Sequence, residues 1–186
     1  MKPDVIVTCE HASPTVPPAY RHLFRGYNDV LRSHRGYDPN AIEMATNLSR
    51  QLNCTLFEAS VSRLLVELNR SIGHPALFSE FTKSLSETEK NAIIVAYYVP
   101  YRRAVEREIS SRVRKDQTVL HLSVHTFTPI YDGKPRIADI GLLFDPAREP
   151  EATLMQAWQR DLSKKLPQFK TRRNYPYHGR TDGFTT

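Results

Sequence analysis

The chain has 186 residues, of which 40% are hydrophobic and 25% charged, so it can bury the core of an ordinary globular protein. Its two cysteines are too few for a disulfide framework, and no window approaches the ~20 consecutive apolar residues of a membrane-spanning helix. The apolar run after Met1 is too short for a secretion signal. We therefore expect a cytoplasmic protein without a membrane partner. We also expect one domain over residues 1–186.

The net charge of +6 raises the question of nucleic-acid binding. The basic residues are scattered among acidic ones, and no known nucleic-acid-binding motif accompanies them. A modest basic excess suits a small anionic substrate equally well. We therefore expect a small anionic ligand and no nucleic acid. A gel shift with nucleic acid at physiological salt would instead favour a nucleic-acid-binding protein.

The predicted elements alternate between strands and helices along the chain. Residues 4–10 form an apolar strand, and a helix with an apolar stripe follows Asp38, its expected N-cap, with Pro39 in the first turn. Ser86 and Glu89 have the spacing of a capping box, which predicts the start of a second helix. Further strands are predicted within residues 55–68, 119–125, 137–144 and 169–186, and a further helix over residues 149–166. This alternation predicts a three-layer α/β/α domain with a largely parallel central sheet.

Residues 63–71 carry a pattern that suits an anion. We expect a strand with an apolar face, Leu64, Val66 and Leu68, and a polar face, Arg63, Glu67 and Asn69. This strand would end at the pair Asn69-Arg70. Arginine presents a planar fork of donors that matches a carboxylate, and asparagine adds a neutral donor beside it. The alternative interpretation is a solvated polar face on a half-buried strand.

Two histidines follow predicted strands and suggest a metal site. His11 and His125 each lie just past a strand end, and sites in open α/β sheets gather outside the carboxyl ends of the strands. A catalytic zinc commonly takes two histidines and one carboxylate, for which Asp38 is the candidate. Each residue has an ordinary alternative, since strand-end histidines are often hydrogen-bonded surface residues and Asp38 suits helix capping. His121 shares a strand face with His125 and could support it, whereas Cys9 suits a small core residue better than a thiol nucleophile.

A set of ordered motifs extends these observations over nearly the whole chain. The chain resembles the N-formylglutamate amidohydrolase family at residues 9–13, 36–39, 62–71, 121–129, 136–143, 173–177 and 182–183. The family is similar to zinc carboxypeptidases and aspartoacylase-like deacylases. This resemblance implies a phosphorylase/hydrolase-like fold with a central mixed sheet between helices.

The resemblance also implies roles for individual residues. By position, one zinc ion would be held by His11, Asp38 and His125. More distant relatives place the carboxylate ligand three residues after the first histidine, where this chain has Pro14. The carboxylate must therefore come from elsewhere in the chain, and Asp38 is the candidate. The substrate carboxylate would be bound by Asn69 and Arg70, with Arg136 as a further contact, and the scissile carbonyl would be polarised by Arg63.

The implied reaction is metal-assisted hydrolysis of a small anionic N-acyl amino acid, with N-formyl-L-glutamate as the family's namesake substrate. Zinc would lower the pKa of its bound water toward ~7 and polarise the amide carbonyl. The family's general-base glutamate is expected after the Asp182-Gly183 segment, but no matching glutamate precedes the last residue, Thr186. Two interpretations stay open: a chain that lacks the family's C-terminal segment, or a catalytically weak homologue that binds metal and carboxylate. The ligand set also suits other divalent metals.

Overall fold

Three parallel strands form the sheet that positions the candidate site. They are β1 (Asp4–Cys9), β2 (Thr55–Glu58) and β3 (Val119–Ser123), and their spatial order is β2-β1-β3. β1 occupies the centre because its apolar run can be buried on both faces, and Ile6 and Val7 are fully buried. The computed structural model describes residues 3–180 and 183–184, so Asp182 of the last family motif lies outside the described residues.

The register places the carboxyl ends of the strands side by side. Residues 6–9 of β1 pair with residues 55–58 of β2, and residues 4–8 pair with residues 119–123 of β3. The described chain divides into two compact units between Phe127 and Thr128, and this sheet belongs to the first unit. A single domain over residues 1–186 stays a prediction.

Helices cover both faces of the sheet. The helical elements of the first unit are a 3₁₀ helix (Pro18–Phe24), α1 (Asn28–Leu31), α2 (Ala41–Leu52), α3 (Glu87–Ile93), a π-helical turn (Ile94–Tyr98) and α4 (Val99–Val113). On one face, Ala41 and Ala45 of α2 pack against Val7 and Cys9 of β1. On the other face, Arg112 of α4 donates to the carbonyl of Val5 and to the hydroxyl of Thr55. The predicted α/β class with a largely parallel sheet is therefore confirmed.

Residues 63–71 are not a strand, and that prediction was wrong. β2 ends at Glu58, and the following segment runs through turns. Its backbone donors bind loop carbonyls instead of a ladder, since Glu67 N–H donates to the carbonyl of Leu77. Leu65 is as deeply buried as the neighbouring apolar residues, so the segment has no solvent-facing alternation. Packing of the apolar side chains against surrounding loops outweighs the apparent period of two.

The start of α2 also differs from the prediction. The helix begins at Ala41, and the residue before it, Asn40, has the left-handed φ of 64° and makes no side-chain cap. Asp38 contributes only its backbone carbonyl, which accepts from the Ala41 N–H. Its side chain is withdrawn from the helix because two histidines compete for the carboxylate more strongly than a backbone N–H does. Helix capping therefore does not explain Asp38.

The second unit contains shorter elements. They are β4 (Ile130–Tyr131), β5 (Lys134–Pro135), β6 (Ile140–Leu142), α5 (Glu149–Lys165) and β7 (Thr171–Arg173). β4 and β5 pair antiparallel, while β6 and β7 pair parallel. Leu142, Phe144 and Met155 form the buried core of this unit. Within the described residues, no helix is long and apolar enough to cross a membrane.

Candidate metal centre

Neighbouring strands bring two histidines to the same edge of the sheet. His11 lies two residues beyond the end of β1 and His125 two residues beyond the end of β3. Because β1 and β3 are adjacent and parallel, their carboxyl ends coincide. The loop before α2 joins this edge through a backbone hydrogen bond of 2.9 Å from Asp38 N–H to the carbonyl of His11.

The three predicted ligand atoms converge at this edge. Nδ1 of His11 lies 3.1 Å from Nδ1 of His125, and Oδ2 of Asp38 lies 3.3 Å from the first nitrogen and 2.8 Å from the second. In a tetrahedral zinc site with bonds of 2.0–2.1 Å, ligand atoms stand about 3.3 Å apart. These three residues form a group that could hold a metal ion.

Glu67 binds the opposite nitrogen of His11. Its Oε1 lies 2.6 Å from His11 Nε2, and both side chains are almost fully buried. Oε2 of the same carboxylate accepts from Nε of Arg63 at 2.8 Å and from its Nη2 at 2.6 Å. A carboxylate behind a metal-binding histidine sets the tautomer and the orientation of the ring. The sequence marked Glu67 only as a polar strand residue, and its contact with His11 depends on the turn structure of residues 63–71.

Glu10 lies near the corresponding nitrogen of His125, and no sequence pattern singled it out. Oε2 of Glu10 lies 3.3 Å from His125 Nε2 and accepts from the Ser123 hydroxyl at 2.6 Å. Oε1 accepts from the hydroxyl of Tyr101 at 3.1 Å. The available signal was a glutamate that continues a fully buried strand on the same face as Thr8, where only a paired charge is tolerated.

Hydrogen bonds keep the three carboxyl groups of the cluster ionised. Burial alone would raise each pKa, but the bonds from His11 and His125 hold the pKa of Asp38 well below its usual range. His125 and its charge do the same to the pKa of Glu10. The charge and hydrogen bond of His11 lower the pKa of Glu67 to about 2. The three carboxyl groups are therefore ionised at neutral pH.

The same carboxylates favour positive charge on the His125 ring. Burial alone would lower the pKa of His125, whereas hydrogen bonds to Asp38 and Glu10, together with their charges, raise it to about 10. By contrast, burial raises the pKa of Cys9 to about 12, which keeps that thiol protonated. Cys9 is a core residue of the sheet, as its apolar surroundings suggested.

Arg63 stands at the boundary between the cluster and solvent. Its side chain is 31% exposed, and its Nη1 lies 3.6 Å from Oδ1 of Asp38. The Arg63 N–H donates to the carbonyl of Gly36, which ties the segment to the loop before Asp38. A partly exposed guanidinium fixed on this side of the cluster can face a bound ligand.

The predicted carboxylate-binding pair, Asn69 and Arg70, begins two residues after Glu67 in the chain. The Asn69 N–H donates to Oε1 of Glu67 at 3.0 Å, so the same oxygen contacts both His11 and the pair. The carbonyl of Arg70 accepts from the hydroxyl of Tyr98 at 2.6 Å. Both Asn69 and Arg70 are half-buried. Asn69 is therefore linked to His11, a candidate metal ligand, through one glutamate.

Two further candidates, Arg136 and His121, have described contacts within their own compact units. Arg136 belongs to the second unit, where its guanidinium lies 4.9 Å from the ring of Tyr131 and its Nε donates to the carbonyl of Thr128. His121 bonds the hydroxyl of Thr8 at 2.8 Å, so it supports the sheet face shared with Glu10. In the second unit, Glu151 lies in the first turn of α5 and accepts from the Asp145 N–H, which is typical of a charge at a helix N-terminus.

Comparison with known proteins identifies the family. The model of the N-formylglutamate amidohydrolase family matches residues 4–186. The chain belongs to this family. Family membership supports a hydrolase that acts on N-formylglutamate, a small N-acyl amino acid.

A solved crystal structure has the same fold as this protein. The crystal structure of gene product Atu2144 from Agrobacterium tumefaciens superposes with a TM-score of 0.82 at 33% sequence identity. The similarity covers 96% of this chain and 71% of the other. No curated protein matches the chain.

Proposed function

We propose that this protein is a zinc-dependent amidohydrolase that cleaves an N-acyl amino acid such as N-formyl-L-glutamate into a carboxylic acid and a free amino acid. The observation that carries the proposal is the convergence of His11 Nδ1, His125 Nδ1 and Asp38 Oδ2, each histidine having a carboxylate near its other nitrogen. The free cysteines, Cys9 and Cys54, support the proposal of a cytoplasmic location.

The charges of the cluster support a divalent cation. Asp38, Glu10 and Glu67 carry three negative charges, and the guanidinium of Arg63 contributes one positive charge. Histidines bind a metal as neutral imidazoles, and two negative charges then stay uncompensated in a buried setting, where isolated charge is costly. Without a metal, the raised pKa of His125 lets its ring carry part of that positive charge. A divalent ion held by His11, Asp38 and His125 would balance them, and it would supply Lewis-acid polarisation of a carbonyl and a lowered pKa of water.

The side chains around the cluster can perform the other tasks of amide hydrolysis. We assign to Arg63 the stabilisation of the oxyanion that develops on the scissile carbonyl, because it is cationic, fixed by Glu67 and partly exposed. Asn69 and Arg70 orient the substrate through its carboxylate, since their segment is tied to His11 by Glu67. Arg136 is a further candidate contact for a substrate carboxylate. This division of roles is the one that zinc carboxypeptidases suggest.

Metal content is the first test of this proposal. Protein purified without added metal should carry about one zinc per chain by elemental mass spectrometry. His125→Ala should lose the metal and remain folded, while the exposed His34→Ala serves as the matched control and should keep it. Full metal occupancy in His125→Ala would refute the assignment. Zinc binding by the wild type without formate release from N-formyl-L-glutamate would refute the hydrolase and favour a metal-binding protein.

The carboxylate-binding role has its own test. Arg70→Ala should raise the KM for N-formyl-L-glutamate roughly 10- to 100-fold, because a charge-assisted hydrogen bond contributes about 1.5–3 kcal/mol. The exposed Arg35, which pairs with Glu80, provides the matched arginine control, and Arg35→Ala should leave KM unchanged. An unchanged KM in Arg70→Ala would place the substrate carboxylate elsewhere.

A further inference from the structure

Glu10 is a fully buried charge to which the proposed function assigns no task beyond its closeness to His125. It is 0% exposed and lies between the core residue Cys9 and the candidate ligand His11. Burying a carboxylate is costly unless hydrogen bonds compensate it. Its partners, Ser123, Tyr101 and His125, come from β3, α4 and the segment after β3. Three separate parts of the chain therefore compensate this one buried charge.

The carboxylate determines the direction of each hydrogen bond around it. The hydroxyls of Ser123 and Tyr101 both donate to it, each to a different carboxylate oxygen. The Ser123 hydroxyl proton is then committed to Glu10, and Ser123 Oγ faces His125 Nε2, 2.9 Å away, as an acceptor. His125 Nε2 must therefore carry a hydrogen. Its Nδ1 is the nitrogen that faces Asp38 and His11.

We propose that Glu10 is a positioning residue, which orients the His125 ring through Ser123 so that Nδ1 is presented to the metal cluster. This inference rests on the proposed function for its consequence, which is tight metal binding. Two adjacent residues after β1 then have different tasks. His11 supplies one metal ligand, and Glu10 orients the other histidine ligand, His125. The histidine ring is thus held from behind by a carboxylate, as Glu67 holds His11.

Zinc affinity of the full-length protein tests the proposal. Glu10→Gln removes the charge and replaces one acceptor oxygen by a donor, so it cannot accept from both hydroxyls. Changes to such supporting groups weaken metal binding about 10- to 100-fold. We expect a rise of this size in the zinc dissociation constant, measured by chelator competition. Tyr101→Phe is the matched control, because it removes the bond to the oxygen that does not contact Ser123 and should change affinity less than about threefold.

A second readout does not depend on bound metal. The Nε2–H proton of His125 should give a downfield, exchange-protected NMR resonance in wild-type protein, both metal-free and zinc-loaded. Glu10→Gln should shift it upfield and speed its exchange, while Tyr101→Phe should preserve it. If the wild type binds no zinc, the proposed function fails, and this resonance still decides whether Glu10 orients His125.

Two results would overturn the proposal. The first is a folded Glu10→Gln protein that binds zinc as the wild type does and keeps the resonance. If Glu10→Gln does not fold, Ser123→Ala decides, because it removes the connection without altering a buried charge. We expect at least threefold weaker zinc binding and an altered resonance in Ser123→Ala, and wild-type values in both would contradict the proposal that Glu10 acts through Ser123.

Discussion

Gly36 shows how a single residue lets the loop before Asp38 lie directly against α1. A Cβ atom at this position would stand 2.0 Å from the carbonyl oxygen of Leu31, a backbone atom. The carbonyl of Gly36 also accepts from the hydroxyl of Ser62 at 2.8 Å and from the N–H of Arg63. The missing side chain therefore lets the loop with Asp38 lie against Leu31, while the Gly36 carbonyl ties that loop to the segment with Arg63.

Gly36→Ala should destabilise the protein by more than about 2 kcal/mol, because overpacking against backbone cannot be relieved by a rotamer change. Gly26→Ala is the control: no heavy atom lies within 4 Å of its added Cβ, but its φ of +84° adds backbone strain. That strain should cost about 1–2 kcal/mol. Urea unfolding measures both losses. Equal losses in the two variants would contradict the importance of the close contact at Gly36.

At the scale of elements, the ends of helices and strands decide where functional side chains stand. The start of α3 is a complete capping box: Glu89 N–H donates to the Ser86 hydroxyl oxygen, and the Glu89 carboxylate accepts from the Ser86 N–H. The sequence predicted this correctly because both partners are three residues apart. α3 leads through the π-helical turn into α4, which carries Tyr101.

Ser86→Ala should lower the free energy of unfolding by about 1 kcal/mol, since it removes the acceptor for a helical N–H. Ser84 is also exposed and lies two residues earlier, so Ser84→Ala is a suitable control that should change stability by less than about 0.5 kcal/mol. Chemical denaturation of both variants gives the comparison. A loss in Ser84→Ala as large as that in Ser86→Ala would argue against the capping role.

At the scale of the whole molecule, a positive net charge coexists with a candidate metal site that is rich in carboxylates. The net charge is +6, while the cluster itself is rich in carboxylates. Long-range attraction of an anionic substrate depends on the overall positive charge, and it is screened over about 10 Å at 0.1 M salt. Contacts at the site are short-ranged and are screened much less.

For the proposed substrate, N-formyl-L-glutamate, kcat/KM should therefore fall as sodium chloride rises from roughly 20 mM to 500 mM. A neutral N-formyl amino acid amide is the matched control substrate, and its kcat/KM should depend on salt much less. Steady-state kinetics at constant pH provide the measurement. The same salt dependence for both substrates would show that the net charge does not contribute to substrate capture.

Much of the site followed from the sequence because it depends on local order. The apolar run of β1 and the strand before His125 predicted parallel strands, and parallel neighbours bring their ends together, which placed His11 near His125. The pairing of Asp38 with both histidines was also anticipated. The alternative role of Asp38, helix capping, is excluded by the structure, because α2 starts at Ala41.

What the sequence determined by itself was the α/β class, the capping box and the set of candidate ligands, since these depend on periodicity and on neighbours within a few residues. Tertiary structure alone decided that residues 63–71 fold as turns, because every apolar side chain in the segment finds a buried environment. Tertiary structure alone also placed Glu67 near Nε2 of His11 and Glu10 near Nε2 of His125. The partners in these two pairs are 56 and 115 residues apart in the chain. A buried carboxylate acquires its role from the donors that surround it, and those donors come from distant parts of the chain.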